Sequence, residues 1–229
     1  MMETSPESPR PRAPKELLDE FKDLSTPTIS DAMDRLGIPG GCHGLAPIVL
    51  GSKLVGSAFT VRYIPTGQTK GTVGDFLDDL DTSEVVVIEN HGRTDCTVWG
   101  DLMTIRASKM GIAGTVIDGV CRDVPRILEL KYPIFTRGRF MVTGKDRVQV
   151  DAYNVPVNIC GIQVMPGDIL VADDSGVVAI PLERTQAVLD AAREIAKAEE
   201  LIEQALWKGE TLREARKQVG YHNLQSRKT

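Results

Sequence analysis

No stretch of this sequence is apolar over anything near the roughly 18 residues that a membrane-spanning helix requires, which argues against a transmembrane segment. Cys42, Cys96, Cys121 and Cys160 are scattered and form no CxxC pair, so a zinc ribbon or a dithiol redox motif is not indicated. The cysteines read as reduced, structural residues. Basic charge is also short: Lys and Arg total 27 against 32 Asp and Glu, a net charge of −5, so no positive field points to nucleic acid. The start, METSPESPRPRAPKE, lacks the apolar core of a signal peptide and reads as a Pro-rich disordered leader over residues 1–14. The expected location is the cytoplasm. No glycine-rich GxGxxG loop follows a strand, so a nucleotide cofactor is not indicated, and neither internal repeats nor heptads are evident.

What is present is an ordinary globular composition, 41% hydrophobic and 26% charged over 229 residues, enough to bury one sizeable core. In STPTISDAMDRLG, Ser25 or Thr26 can cap a helix, Pro27 suits its first turn and Gly37 stops it. KLVGSAFTVRYI predicts a strand with alternating burial, GTVGDFLDDL a short helix, and SEVVVIEN a strand buried on both faces. A helix over 101–110 ended by Gly111, the strand AGTVIDG, the helix DVPRILELK and the short strand YPIFTRG follow. From residue 140 the pattern is β, with PGD and DDSG as turns, before a long amphipathic helix over 182–206 and a polar tail over 207–229.

Strand, helix, strand, helix, strand over 84–136 is the alternation that builds a parallel sheet, in which each helix starts at the carboxyl end of the strand before it. Asp101 stands at the start of one such helix and Arg122-Asp123 at the start of the next, with twenty residues between Asp101 and Arg122. Both places fall at the sheet edge where open α/β sheets bind ligands. The first-turn amides of Leu102 and Met103 favour an anion, and Arg122 adds a planar fork for a carboxylate. Two carboxylates suit a hard divalent cation. A 2-oxo acid satisfies this set: its carboxylate sits on the amides and Arg122, and its keto oxygen on the metal. A metal there would stabilise the enolate formed when the neighbouring C–C bond breaks. The plainer alternative is that Asp101 and Asp123 are only helix caps, with Arg122 pairing one of them.

WGDLMTIRASKMGIAGTVIDGVCRD closely resembles the Asp-x20-Arg-Asp motif of the RraA-like family, which includes class II 4-hydroxy-4-methyl-2-oxoglutarate aldolases. DAMDRLG, GSAFTVRY and MPGDILVADDSGVVAIP, in this order, are similar to the same family, and the likeness spans residues 20–206. The resemblance implies an α/β fold of the swivelling β/β/α type with a partly parallel sheet and a long C-terminal helix, one domain over 15–206, assembled as a homotrimer or a dimer of trimers. It implies a Mg²⁺- or Mn²⁺-dependent aldolase or oxaloacetate decarboxylase that releases pyruvate. Asp123 would be the metal ligand, and Asp101 would hold a metal-bound water. Arg122 would contact substrate, with Gly100, Leu102 and Met103 forming the carboxylate site. A carboxylate from a neighbouring subunit's C-terminal helix is also implied, for which Glu199 is preferred over Glu200.

The sequence departs from that pattern in two loops, where Lys70, His91, Arg93 and Asp95 are expected to border the site and to meet the substrate beyond its pyruvate unit. His91 and His43 could act as acids or bases, although surface or structural roles are the simpler reading. Some family members are instead regulators that bind and inhibit a ribonuclease, and this is the competing function. Such a protein would not need the three motif charges.

Overall fold

A computed structural model of the chain describes residues 9–68 and 71–220. Its helices are α1 (Lys15–Glu20), α2 (Thr26–Arg35), α3 (Asp101–Met110), α4 (Val124–Leu130), α5 (Thr185–Trp207) and α6 (Leu212–Gln218). Its strands are β1 (Ala46–Pro47), β2 (Leu54–Pro65), β3 (Glu84–Glu89), β4 (Gly114–Cys121), β5 (Ile134–Arg139), β6 (Val148–Tyr153), β7 (Val157–Ile159), β8 (Ile162–Val164), β9 (Ile169–Asp173) and β10 (Gly176–Ile180).

Eight strands form one sheet in the order β1-β5-β4-β3-β2-β9-β10, with β6 also pairing β2. The run β2-β3-β4-β5 is parallel, as the 84–136 alternation predicts, and the remaining pairs are antiparallel. A bridge from Gly41, just before β1, to Val178 of β10 brings the two ends of this path together, so the sheet is nearly closed. The swivelling β/β/α expectation agrees with this mixed α/β layering.

Side chains of β3 alternate between two cores. Val86 and Ile88 join Trp99, Ala107 and Ile127 beneath α3 and α4, while Val85 and Val87 face Val157, Ile159 and Val164 of the small β7–β8 hairpin. A third core packs α1, α2 and α5 onto β9 and β10 through Ile29, Met33, Ile169, Val178, Val188 and Ile195.

β2 corrects the alternating pattern expected for it. It is buried along almost its whole length, because Ala58 faces the hairpin side and Phe59, Val61 and Tyr63 face the helix side. GTVGDFLDDL forms only a single 3-10 turn over Leu77–Asp79, flanked by irregular chain, with Phe76 and Leu77 buried in the core. Within the expected leader, Arg10 and Ala13 are bound to the core: Arg10 ion-pairs with Glu84, and the Ala13 N–H donates to Ser57 Oγ at 2.9 Å. α5 runs to Trp207, one residue beyond the expected helix, and the polar, weakly helical segment expected after it contains α6, with a capping box between Thr211 and Glu214. No described helix is long and apolar enough to cross a membrane.

Candidate active site

The two helices named by the motif start side by side. After β3 the chain runs through residues 90–100, with Thr97 bridged to Val120 of β4, and turns into α3. Trp99 fixes that turn. Its buried indole stacks on Tyr132, with parallel planes and centroids 6.0 Å apart, and its Nε1–H donates to Thr104 Oγ1 at 2.9 Å. Thr104 in turn donates to the Gly100 carbonyl at 2.8 Å, closing the first turn of α3. The Trp99 carbonyl accepts the Arg122 backbone N–H at 3.0 Å, which locks the two helix entries together. Gly111 ends α3 in the left-handed region as expected.

Asp123 occupies the position before α4 but does not cap it. Its backbone is left-handed (φ 58°, ψ 38°), and its side chain makes no bond to the turn that follows. The Oδ2 atom instead accepts the Asp101 backbone N–H at 3.1 Å and lies 3.3 Å from Arg122 Nε. Asp101 Oδ1 accepts the Leu102 N–H at 2.8 Å, so that amide, expected to be open to a ligand, is already engaged. Gly100 is required by proximity: a Cβ there would come within 2.7 Å of Asp123 Oδ2 and 3.3 Å of Arg122 Nε. Asp123 therefore caps the start of α3 rather than that of α4, Asp101 bonds only the next amide, and Arg122 pairs with Asp123 as the plainer alternative expects.

Gly100, Asp101, Leu102, Met103 and Arg122 line an open cleft of about 270 Å³. Two further walls close it, the first from the Lys70-bearing loop expected to border the site. One is Val73, Gly74 and Asp75; the other is Thr143, Gly144 and Lys145, where the Lys145 N–H is held by Thr143 Oγ1 at 3.2 Å. Both come from loops far away in sequence; only the second, with its TGK, is missed by the sequence reading.

The remaining candidates lie elsewhere. His91 contacts the Tyr63 carbonyl through Nε2 at 2.9 Å and Glu89 through Nδ1 at 3.3 Å, Arg93 and Asp95 pair with each other, and none of the three lines the cleft. His43 is exposed beside a different hollow, near Thr26 and Ser175. Lys70 lies outside the described residues. Within its own chain Glu199 is half-buried against α2 and accepts from Thr28 Oγ1 at 3.3 Å. Burial pushes its carboxyl above the usual range; the Thr28 hydroxyl lowers it, and Asp31 adds to the rise. Glu200 is exposed and accepts from Gln204 at 3.2 Å.

Among the described residues no group of three or more His, Cys, Asp or Glu side chains comes together to cage a metal ion. The donor set in the corner is nonetheless chemically consistent: two carboxylates with neither thiol nor imidazole, and with Asp123 turned out of its own helix. That suits a hard divalent cation held by one or two protein oxygens and otherwise by water and substrate.

The family model for RraA-like proteins (Aldolase/RraA) matches residues 26–179. The chain belongs to the RraA-like family. A Legionella pneumophila relative, protein DlpA, is 40% identical over 90% of this chain, which spans only 34% of DlpA's length. A protein of Halalkalibacterium halodurans named "Putative 4-hydroxy-4-methyl-2-oxoglutarate aldolase" is 31% identical over 83% of this chain and 89% of its own. The crystal structure of an uncharacterized Pseudomonas syringae protein superposes with a TM-score of 0.83 at 45% identity, covering 90% of this chain and 98% of that one. This RraA-like chain thus carries the family's fold.

Proposed function

We propose that this protein is a divalent-metal-dependent carbon–carbon lyase that cleaves a 4-hydroxy-2-oxo acid, or decarboxylates oxaloacetate, to release pyruvate. The observation that carries the reading is that Asp101 and Arg122 line one cleft at the start of α3, with the Asp123 carboxylate bound to the Asp101 N–H and 3.3 Å from Arg122 Nε. The aldolase name borne by the 31%-identical relative supports the same class.

In this reading Asp123, with Asp101 beside it, would hold Mg²⁺ or Mn²⁺, which when bound would supply Lewis-acid polarisation of a 2-keto group. Arg122 directs its guanidinium fork at the substrate carboxylate and keto oxygen, offsetting the charge that develops on that oxygen. The Met103 amide, in the outward-facing first turn of α3, assists at the carboxylate, and the Leu102 amide joins it where the ligand displaces Asp101 Oδ1. Asp101 Oδ2 takes up, through a water, the proton leaving a 4-hydroxyl group. Aldol cleavage and loss of CO₂ leave the same pyruvate enolate, so one site serves both. We further infer a homotrimer or hexamer in which a neighbour's Glu199 completes the cleft.

Pyruvate release from oxaloacetate and from a panel of 4-hydroxy-2-oxo acids, with and without Mg²⁺ or Mn²⁺, tests the reading. Metal-dependent pyruvate that disappears in Arg122→Lys is the expected result. No pyruvate from any substrate, together with specific capture of a ribonuclease, would favour the regulatory role instead.

A further inference from the structure

Arg10 is among the least exposed cations described, with only 4% of its side chain accessible, and it reaches the core from the N-terminal arm. Its guanidinium binds both oxygens of Glu84, itself 1% exposed, with Nη2 donating to Oε2 at 2.6 Å. The same Nη2 donates to the Asp79 carbonyl at 3.1 Å. Its Cζ atom also sits 4.8 Å from the centre of the Phe59 ring, which stacks at 5.6 Å on Phe76. Asp79 and Phe76 bracket the segment that continues from Val73, Gly74 and Asp75, one wall of the candidate cleft. Phe76, Leu77 and Leu80 root the end of that segment in the core. Its cleft-facing part is tied by the Tyr63 hydroxyl to the Val73 carbonyl at 2.6 Å and Val150 N–H to the Thr72 carbonyl at 3.0 Å, with Arg106 on Asp78 at 2.5 Å.

We propose that Arg10 is a positioning residue, by which the N-terminal arm holds the 72–80 wall of the cleft against the sheet. One planar fork does three things at once: it pairs Glu84, grips Asp79 and covers the Phe59 face. A lysine can pair with Glu84 but cannot hold the other two in register. Arg12 backs the pair, its Nε donating to Glu84 Oε1 at 3.1 Å, and Glu84 also accepts the Asp81 N–H at 2.8 Å. The arm therefore fastens the start of β3 and the cleft wall as one piece. Its catalytic consequence rests on the function proposed above; its structural consequence does not.

The test is amide hydrogen exchange read by mass spectrometry on the full chain, with oxaloacetate kinetics on the same preparations. The variants are Arg10→Lys, which keeps a charge beside Glu84, and the double change Arg10→Met with Glu84→Gln, which leaves no buried charge alone. Exchange over 72–80 should rise about threefold or more in both, while 101–110 and 185–207 keep wild-type protection. KM should rise several-fold with kcat within about twofold. Unchanged exchange over 72–80 in folded Arg10→Lys overturns the inference, as does a rise shared equally by 101–110. Wild-type protein without lyase activity would defeat the proposed function, and the exchange result would still decide the role of Arg10.

Discussion

Asp123 stands where a cap for α4 belongs, yet its carboxylate serves α3, accepting the Asp101 backbone N–H at 3.1 Å across the gap between the two helix entries. A left-handed backbone makes this possible, and Asp tolerates that conformation better than most residues. The pairing ties a motif spread over more than twenty positions into one corner.

Asp123→Asn should fold almost as well as the wild type, because Asn accepts the left-handed backbone and its carbonyl can still receive the Asp101 N–H. If the carboxylate holds the metal, activity should fall and recover in part with added Mg²⁺. A melting temperature within a few degrees of wild type, beside a shifted Mg²⁺ titration, is the expected pair of results; an unchanged titration removes Asp123 from the metal site.

Arg122→Lys keeps the charge but loses the two-pronged contact, so turnover should drop by roughly 10² to 10³ with little change in melting. Asp101→Asn should slow turnover while changing metal affinity less than Asp123→Asn does. Steady-state kinetics and thermal melts on the same samples check both, and full activity in Arg122→Lys would end the proposed mechanism.

Gly100→Ala isolates proximity from backbone freedom. The φ of −142° is one that alanine adopts readily, but the new methyl would lie 2.7 Å from Asp123 Oδ2 and must push that carboxylate aside. A displacement of about 1 Å in a reacting constellation can cost up to about 10²-fold. Activity near wild type would show that the Asp123 position is not critical.

A shared site can be shown by complementation. Glu199→Gln should keep the Thr28 contact, so its effect on activity reports the role toward a neighbouring subunit. Mixed refolding of Glu199→Gln with Arg122→Lys chains should regain part of the activity that each lacks alone, and light scattering should give a trimer or larger. Rescue with Glu200→Gln but not with Glu199→Gln would move the role one residue along α5; a monomer would remove it altogether.

Acid sensitivity should be traceable to Asp173. Burial raises its pKa, but the Thr26 hydroxyl at 2.6 Å, the Thr26 N–H at 2.8 Å and the Ser175 N–H outweigh burial and hold it below the ordinary 3.8. A depressed carboxylate contributes stability above its unfolded pKa that is lost as pH falls through the folded one, so the contribution should fade below about pH 4. Asp173→Ala should cost about 1–3 kcal/mol at neutral pH and flatten the stability curve in that acid range, as urea unfolding at several pH values would record.

Much of this was legible in the sequence because its signals are local. Ser25 caps α2 through the Thr28 N–H at 3.2 Å, Pro27 sits in its first turn, and Gly111 ends α3, each as the residue types dictate. The β-branched run of β3 revealed its burial on both faces. The rest depends on contacts between distant segments. Nothing near Asp123 shows that its side chain turns toward α3, and nothing near residues 143–145 shows that they face Arg122. Pro-rich composition suggested a loose leader, whereas Arg10 finds a buried carboxylate 74 positions away. His91, for which a structural or surface role is the simpler reading, and Arg93, expected to border the site, each have local partners and do not line the cleft.

β2 carries a further consequence, for the order in which the chain takes shape. One side of this twelve-residue strand pairs with β3, but the other is divided: Leu54 to Ser57 pair with β9 and Val61 to Pro65 with β6. Those partners come from residues 148–172, so the longest strand keeps an unpaired apolar edge until most of the chain has been made. Such long-range closure is slow, and the species that wait for it are the ones prone to aggregate. During synthesis the vulnerable moment is the interval between the emergence of β2 and the arrival of β9.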